Sequence, residues 1–538
     1  MNIQKVQQFN TSENRQYQPQ FTGPVDAAVN AAATALRFLD TNQAIGACAV
    51  DLGCMVAPRT ITDFSRGSDA GFETLRREST GTLNHASIGP IYGGLAGLLL
   101  ANTINSEYGI DATKVFADAE TIEMMSKIQY DNLKAGKNSA EFAKTVASSI
   151  STPNHGKLSR GVQKNFAETL VKLINPPEEL KGLDLYRYNK QHKELLRNII
   201  LSNTGEETNI TLKYEGKELK SSLNAMVDNV SSLSKTLFKE KVVDSFSNAK
   251  SFADVSFVKS LKNFGMKRSL LGLAMGTAVG CSIQPINIYL TKKKTGSDGF
   301  VGVEGREKDN SKGFKALKAA AAGAFALFAI GSIGKPKNLL KNIQYKSLVP
   351  TLEQFKLVYG LTISSRFLAA RDKDELREAV VKDTLGFSTW LLLGNFVAKG
   401  TLKGLSKMYK KRHGVDLNII GKTRDEVLHT RLKELKAKTV ENGKALSYVD
   451  LLKKLPESDK LTKTKLKYFS LAQLAGYAFS ALVLGVGIPK LNIYMTNKSE
   501  QKRAQQRTMN PQFNMFKPEN LAFLSKEMNF TSKKMLNN

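Results

Sequence analysis

The sequence predicts a mainly α-helical, membrane-associated bundle of Gly/Ala-rich apolar helices with soluble helical insertions. Three observations support this fold class. Residues 269–291 contain no charged side chain, and a helix of that length crosses the hydrocarbon core of a bilayer. The run 79–106 is also free of Asp, Glu, Lys and Arg, and it repeats the same glycine spacing. The mean hydropathy of −0.26 is too polar for a chain embedded throughout, so soluble parts must separate the apolar runs.

The chain of 538 residues is strongly basic, with 78 Lys and Arg against 49 Asp and Glu. The formal charge of +29 favours polyanionic partners, either an anionic membrane surface or nucleic acid. The three cysteines, Cys48, Cys54 and Cys281, lie in apolar surroundings at spacings that suit no zinc site, so reduced, buried thiols are predicted. Residues 1–24 are predicted to be a disordered polar tail, and no cleavable secretory signal is predicted.

Residues 25–106 are predicted to form an N-terminal helical and membrane segment. Its apolar piece 44–58 is interrupted by Asp51. A lone carboxylate in lipid would mark a function or an ion pair. The alternative is a short core helix in which Asp51 reaches Arg59 or a backbone donor, and the shortness of the piece favours this alternative. The charged stretch 59–78 is interpreted as a solvated or interfacial helix rather than a paired-carboxylate site.

Glycines and small residues spaced four apart mark the apolar helices, since they leave a groove in which helix backbones approach closely. In a water-exposed helix each internal glycine would instead cost about 0.5–1 kcal/mol relative to alanine. Tight packing in a soluble helical core is the alternative explanation. The predicted helix-packing residues are Gly89, Gly93, Gly97, Gly272, Gly276, Gly280 and Gly476.

Residues 107–266, here called the first insertion, are predicted to be soluble and mainly helical. Leu223, Met226 and Val230 keep the three-to-four period of an amphipathic helix. Residues 209–219 alternate polar and apolar side chains around a Glu-Gly turn, which predicts a small β-hairpin.

Residues 267–398 are predicted to contain apolar helices joined by a Gly-rich connector, 291–315. A phosphate-binding loop is disfavoured there because no buried strand precedes the glycines and no Gly-Lys-Ser/Thr follows. The apolar segments are 269–291, 316–334, 358–370, which carries Arg366, and 384–398, which contains Trp390. The stretch 371–378 is interpreted as a second ionic helix surface.

Residues 399–467, here called the second insertion, form the densest basic region, with nineteen Lys and Arg against eight Asp and Glu. Residues 468–497 are predicted to form the last apolar helix, and residues 498–538 a polar tail.

A short internal repeat links the two halves of the chain. Residues 287–292 read Asn-Ile-Tyr-Leu-Thr-Lys and residues 492–497 read Asn-Ile-Tyr-Met-Thr-Asn, which pairs Asn287 with Asn492 and Tyr289 with Tyr494. The ionic stretch before 79–106 also resembles the one before 384–398. These echoes suggest a duplicated unit of ionic helix, apolar helix, insertion and Gly-rich helix. The nearby Pro285 and Pro489 are interpreted as helix C-termini, with helix breaks as the alternative.

The flanking charges conflict with a simple multi-pass topology. Lysines and arginines border both ends of nearly every apolar segment, whereas the positive-inside rule predicts alternation. The segments could pair as shallow hairpins, lie on an anionic leaflet, or form the core of a soluble protein. Entry into the membrane is therefore a safer prediction than full crossing.

The sequence supports no catalytic assignment. Its histidines are scattered singly, and no nucleotide-binding, hydrolase or kinase motif is present. We expect a membrane protein with no enzymatic activity and no cofactor or metal. Its expected role is membrane organisation or binding at an anionic lipid surface, with homo- or hetero-oligomers possible through the glycine grooves.

Two alternatives remain. The first is a solute transporter built from duplicated halves, for which Asp51 and Arg366 are the candidate intramembrane ionisable residues. The second is a soluble basic helical protein that binds nucleic acid. That alternative is less favoured because the chain lacks aromatic stacking platforms and a groove-reading motif.

Overall fold

The computed structural model describes residues 32–39, 43–152, 156–204, 210–296, 307–389, 394–437, 440–441, 444–446 and 448–509. The fold is mainly helical, with 79% helix and 3% strand, which confirms the predicted α class. The predicted tail 1–24, residues 297–306 of the Gly-rich connector, Trp390 and residues 510–538 lie outside the described residues.

The N-terminal part is a run of helices in which α-helical turns alternate with wider π-helical turns. Each of these π-helical segments contains a proline or lies within two residues of one. Proline has no backbone N–H to donate, and the wider π-helical turn accommodates the missing hydrogen bond. The helices are 32–39 (α1), Gln43–Val50 (α2), Ala57–Phe64 (α3), Ser68–Ala86 (α4) and Gly94–Tyr108 (α5), with π-helical segments Asp51–Val56 and Ile88–Gly93.

The first insertion has its own hydrophobic core and a small antiparallel sheet of strand order β2-β1-β3-β4. Fully buried aromatic and aliphatic side chains such as Phe142, Phe166 and Leu233 fill the core. Its helices are Ala119–Lys134 (α6), Ser139–Ser149 (α7), Arg160–Ile174 (α8), Gly182–Thr204 (α9), Leu223–Leu237 (α10) and Glu240–Ser247 (α11). Its strands are Ile150–Thr152 (β1), Gly156–Lys157 (β2), Ile210–Tyr214 (β3) and Lys217–Ser221 (β4).

The predicted β-hairpin is confirmed. Strands β3 and β4 pair in antiparallel register, with Tyr214 opposite Lys217. The two turn residues, Glu215 and Gly216, have φ values of 45° and 79°, as a two-residue hairpin turn of the mirror-image type requires.

The longest helix, Ser256–Thr295 (α12), joins the first insertion to the apolar bundle. At about 1.5 Å per residue it is about 60 Å long. Its first turns bury Phe257, Leu261 and Phe264 in the core of the insertion. The helix continues ten residues past Pro285, so the interpretation of Pro285 as a helix C-terminus is wrong.

The remaining chain forms a second set of helices and a smaller insertion. Its elements are Lys312–Gly331 (α13), Leu339–Asn342 (α14), Leu352–Ala369 (α15), Lys373–Ser388 (α16), Gly394–His413 (α17), Arg424–Glu434 (α18), Val440–Glu441 (β5), Lys444–Ala445 (β6), Tyr448–Lys453 (α19), Lys460–Ser480 (α20), the π-helical segment Ala481–Gly487 and Ile488–Met509 (α21). Pro489 lies in the first turn of α21 and does not end a helix, so its interpretation as a C-terminus is wrong as well. Helix α21 extends twelve residues beyond the predicted end of the last apolar helix at 497, and in this extension Arg503 pairs with Asp374 at 2.6 Å.

The second insertion is held by a core that includes Leu417, Leu428 and Leu432. Helix α1 packs against it, since Arg37 pairs with Asp425 at 2.6 Å. His429 is buried in this region, and burial lowers its pKa to about 4, so the imidazole is neutral in the folded chain at pH 7.

Four helical segments among the described residues are long and apolar enough to cross a membrane: Ile45–Phe64, Ser256–Thr295, Lys312–Gly331 and Lys460–Gln505. A fifth candidate is the pair Ser68–Ala86 and Ile88–Tyr108, which bends by 50°. In the most apolar stretch of each of the four single segments, only 22–39% is buried inside the protein. Large side chains on the candidate spans point outward, with Leu327 exposed by 73% and Leu98 by 67%.

Candidate functional site

Two helical hairpins form the centre of the bundle. In the first hairpin, residues 65–67 connect α3 to α4, and in the second, residues 370–372 connect α15 to α16. Gly67 turns the first connection with a φ of 139°, in the region that favours glycine. Asp372 begins the second return helix, because its carboxylate accepts hydrogen bonds from the backbone N–H groups of Asp374 and Glu375.

At their tips the hairpins exchange ion pairs. Arg66 of the first hairpin binds Glu378 of the second through two hydrogen bonds of 2.6 and 3.0 Å. Arg371 of the second hairpin binds Glu73 of the first at 3.0 Å. Burial would lower the pKa of the Arg371 guanidinium, but the carboxylates of Glu375 and Glu73 raise it above its usual value. Arg371 is therefore held as a cation by Glu375 of its own hairpin and by Glu73 of the other hairpin.

A second group of charges lies deeper between the hairpins. Arg366 Nη1 lies 3.5 Å from Glu78 Oε2 and 3.4 Å from Asp383 Oδ1, and the side chains of all three are at most 5% exposed. Arg59 Nη1 lies 3.9 Å from the same Glu78 oxygen. We call Asp51, Arg59, Arg77, Glu78, Arg366, Lys382 and Asp383 the buried ionic cluster. Arg77 and Lys382 complete it at the edge, at 3.0 and 3.5 Å from Glu78.

The structure brings the two sequence-predicted ionisable residues, Asp51 and Arg366, into this cluster. Asp51 lies in a π-helical turn and accepts a hydrogen bond from the Thr82 hydroxyl. It is buried within electrostatic range of Arg366 and Arg59. Buried charges are costly to maintain unless they are paired, so loss of one partner is expected to destabilise the fold.

The ionic helix surfaces 59–78 and 371–378 are interfacial, and the solvated alternative for 59–78 is wrong. Glu73, Glu78, Arg371 and Asp374 are all buried, because the surface of each ionic helix faces the other hairpin. Sequence reasoning missed Glu78, Asp383 and Arg59 as members of one cluster for the same reason. The charged residues of the two hairpins have the same spacing along the sequence, and that spacing could have revealed the cluster.

The two hairpins carry the same pattern of side chains 305 residues apart. The equivalent pairs are Arg66 and Arg371, Asp69 and Asp374, Glu73 and Glu378, Arg77 and Lys382, Glu78 and Asp383, and Gly81 and Gly386. The tip ion pairs are reciprocal under this equivalence, because exchange of the two hairpins turns Arg66–Glu378 into Arg371–Glu73. The two equivalent glycines also each lie close to a guanidinium of the buried ionic cluster. A Cβ placed on Gly81 would lie 3.4 Å from a nitrogen of Arg366, and one on Gly386 would lie 3.1 Å from a nitrogen of Arg59.

The Asn-Ile-Tyr repeat occupies matching environments. Asn287 and Asn492 are both buried, whereas Tyr289 and Tyr494 are 64% and 62% exposed. Asn287 donates to the carbonyl of Ile283 within its own helix, and Asn492 donates to the carbonyl of Glu378. The threonine two residues after each tyrosine accepts a hydrogen bond from an arginine of an ionic helix: Thr291 from Arg76 and Thr496 from Arg377.

Six predicted packing glycines lie where another group approaches closely. A Cβ on Gly93 would lie 2.8 Å from the Tyr345 ring, and one on Gly272 would lie 2.6 Å from the hydroxyl of the same tyrosine. A Cβ on Gly89 would overlap the carbonyl oxygen of Leu348. Gly97 meets the guanidinium of Arg268, Gly276 the ring of Tyr92, and Gly280 the hydroxyl of Thr362. Gly476 is buried in α20.

Arg268, at the start of the opening apolar run, has a structural role. Its guanidinium donates to the carbonyls of Gly93, Val115 and Thr113 and lies 3.4 Å from the centroid of the Phe116 ring. It therefore satisfies backbone acceptors and does not face a lipid headgroup. One of the basic residues that complicated the topology is thus explained by internal pairing.

Some polar atoms near the cluster have no hydrogen-bond partner among the described residues. They include both ring nitrogens of His85, both terminal nitrogens of Arg59 and Nε of Arg366. His85 packs at 4.9 Å against the rings of Phe355 and Tyr359. In the described part of the chain, no group of three or more His, Cys, Asp or Glu side chains is arranged to hold a metal ion. No family model, curated protein or solved structure matches the chain.

Proposed function

We propose that the chain is a multi-helix integral membrane protein without catalytic activity that organises, or binds at, an anionic membrane surface. The carrying observation is the inverted distribution of its side chains. Apolar residues such as Leu98, Leu327 and Leu482 are exposed on the candidate spans, whereas the charges of the buried ionic cluster are inside. In water this arrangement would expose apolar surface, while in lipid it places each group in a suitable solvent.

The contacts support one arrangement in the membrane. The end of α12 lies at the hairpin tips, since Lys294 pairs with Asp69 at 2.7 Å, and the chain before α13 is there too, since Asp309 N–H donates to the Arg371 carbonyl. The two insertions lie together at the other end, where α18 contacts α9. We infer that residues 291–296 and 307–315 are on one side of the membrane and both insertions on the other.

The proposal that the chain is an integral membrane protein is tested by washing membranes from expressing cells with alkaline carbonate. We expect the full chain to stay in the membrane pellet, because at least four apolar segments hold it there. Recovery in the soluble fraction would contradict the proposal and favour the basic nucleic-acid-binding alternative. Cysteines placed at Lys312 and at Lys433 then test the topology, and labelling of both from the same side would overturn the inferred arrangement.

We also propose that the bundle arose by duplication of a unit containing one hairpin and its following insertion and helix. The reciprocal tip pairs support this, since Arg66–Glu378 becomes Arg371–Glu73 when the two halves are exchanged. The tip of one hairpin contacts the tip of the other, and the buried charges of the two hairpins contact each other farther along. The hairpins therefore lie side by side with their tips at the same end.

Double-mutant cycles test the equivalence of the two tip pairs. With R66M and E378Q in one cycle and R371M and E73Q in the other, we expect coupling energies of about 1–3 kcal/mol in both. Reversible unfolding of the purified chain in detergent supplies the free energies. The exposed pair Lys144–Glu141 is the control and should couple by less than about 1 kcal/mol. Coupling in only one of the tip pairs would argue against equivalent halves.

A transporter built from these halves is the second candidate. It is favoured by one observation, the meeting of Asp51 and Arg366 in a single buried cluster between the hairpins. Buried ionisable groups between repeats often form substrate or ion pathways. The test is ion flux into proteoliposomes containing the wild-type chain or D51N. Flux that equals that of empty liposomes, or that D51N leaves unchanged, counts against this candidate.

A further inference from the structure

Helix α17 carries a row of lysines on its outer face. Lys399, Lys403, Lys407 and Lys411 follow one another at four-residue intervals, and all four are exposed. Four residues advance slightly more than one helical turn, so the ammonium groups share one side of the helix over about 18 Å. Other side chains of the helix are covered, since Ser406 is buried and Leu402 and Tyr409 pack against the core of the second insertion. We call these four residues the lysine row.

Among the described residues, the lysine row forms no ion pair with the protein itself. No carboxylate among the described residues lies within ion-pair distance of its four members, although the neighbouring Lys410 binds Asp416 at 3.0 Å. Gly400 and Gly404 stand between the lysines, and a Cβ on either would meet nothing within 4 Å. The helix backbone is therefore open to a ligand that the lysines attract.

The surroundings of the lysine row match the boundary of a membrane. The row begins directly after the apolar run 384–398. Phe396 and Met408, both large and apolar, are exposed on the same helix by 69% and 59%. Helix α17 packs against α20, which begins the candidate span Lys460–Gln505. Lysines and exposed apolar side chains beside such a span suit the layer in which headgroups meet acyl chains.

We propose that the lysine row is a binding site for anionic phospholipid headgroups, in which the ammonium groups hold the phosphodiester and Phe396 and Met408 contact the acyl chains. This inference rests on the proposed membrane function and assigns its anionic partner to one helix face. Each lysine near an anionic surface contributes about a fivefold factor in affinity.

The test compares lipid binding by the detergent-purified full chain and its variants. Native mass spectrometry measures the affinity for added phosphatidylglycerol and, separately, for phosphatidylcholine. We expect the wild-type chain to prefer phosphatidylglycerol and K399Q/K403Q/K407Q to lose about 100-fold in affinity for it. K399R/K403R/K407R should keep the preference. The control K144Q/K164Q/K213Q removes the same charge from lysines that pair with carboxylates, and it should bind as the wild type does.

Each other outcome has a defined meaning. Equal binding of the two lipids by a chain that resists carbonate overturns this inference and leaves the membrane proposal intact. Release of the wild-type chain by carbonate overturns the membrane proposal itself. A row that binds a single-stranded oligonucleotide but shows no preference for phosphatidylglycerol is a nucleic-acid surface, and the inference is then wrong. An equal loss in the control variant shows a general effect of charge and also overturns it.

Discussion

Replacing Glu78 with glutamine is expected to lower the free energy of unfolding by about 3–5 kcal/mol, the cost of leaving a buried charge without its partner. Glu78 is the carboxylate that Arg366, Arg59, Arg77 and Lys382 share, at distances from 3.0 to 3.9 Å. The glutamine amide has nearly the same shape, so the loss isolates charge from packing. Without this carboxylate, like charges face one another in a site that water does not screen.

The measurement is reversible unfolding of the purified chain in mixed detergent micelles. E107Q is the matched control, because Glu107 is exposed and carries the same chemical change. We expect E107Q to change the free energy of unfolding by less than about 0.5 kcal/mol. A loss below about 1 kcal/mol for E78Q would show that water reaches the cluster, and the description of it as buried would then be wrong.

Replacing Gly89 with alanine is expected to destabilise the bundle by at least about 2 kcal/mol. The new methyl group would overlap the backbone carbonyl oxygen of Leu348 and lie 3.2 Å from Pro350. A backbone carbonyl cannot swing away as a flexible side chain can, so the two segments must separate. The overlap outweighs the roughly 0.5–1 kcal/mol that alanine gains over glycine inside a helix.

The adjacent helix offers a close control. Gly94 starts α5 five residues later, and a Cβ there would meet nothing within 4 Å. G94A should therefore leave the unfolding midpoint unchanged or raise it slightly. Thermal unfolding of the two variants in the same detergent decides the matter. If G89A matched G94A, residues 348–350 would not press on the helix.

The sequence predicted the helices well where their cause is local. The charge-free runs and the Glu215-Gly216 turn act within a few residues, so their structures could be anticipated. The buried ionic cluster could not, because helical periodicity shows which residues share a face and not what covers that face. Arg66 and Glu378 are 312 residues apart, so the pattern of neighbouring residues does not predict that one hairpin covers the other.

The same limit applies to the glycines. Their spacing predicted close approach, but the approaching groups are Tyr345 and Leu348, which lie in an irregular stretch between α14 and α15. That stretch has no hydrophobic periodicity, so no pattern in the sequence predicts its position against the glycines. For Asp51, the favoured partners were Arg59 and the backbone, whereas the hydrogen bond comes from Thr82, an uncharged residue of the neighbouring helix.

Helix α12 gives the molecule a mechanical lever. Its first turns are fixed in the core of the first insertion, and its last lysine-rich turn is clamped to the first hairpin by Lys294 and Thr291. A rod of about 60 Å that tilts by about 5° moves its far end by about 5 Å. Because both ends of the rod are held, a tilt of the first insertion would be transmitted to the hairpin tips.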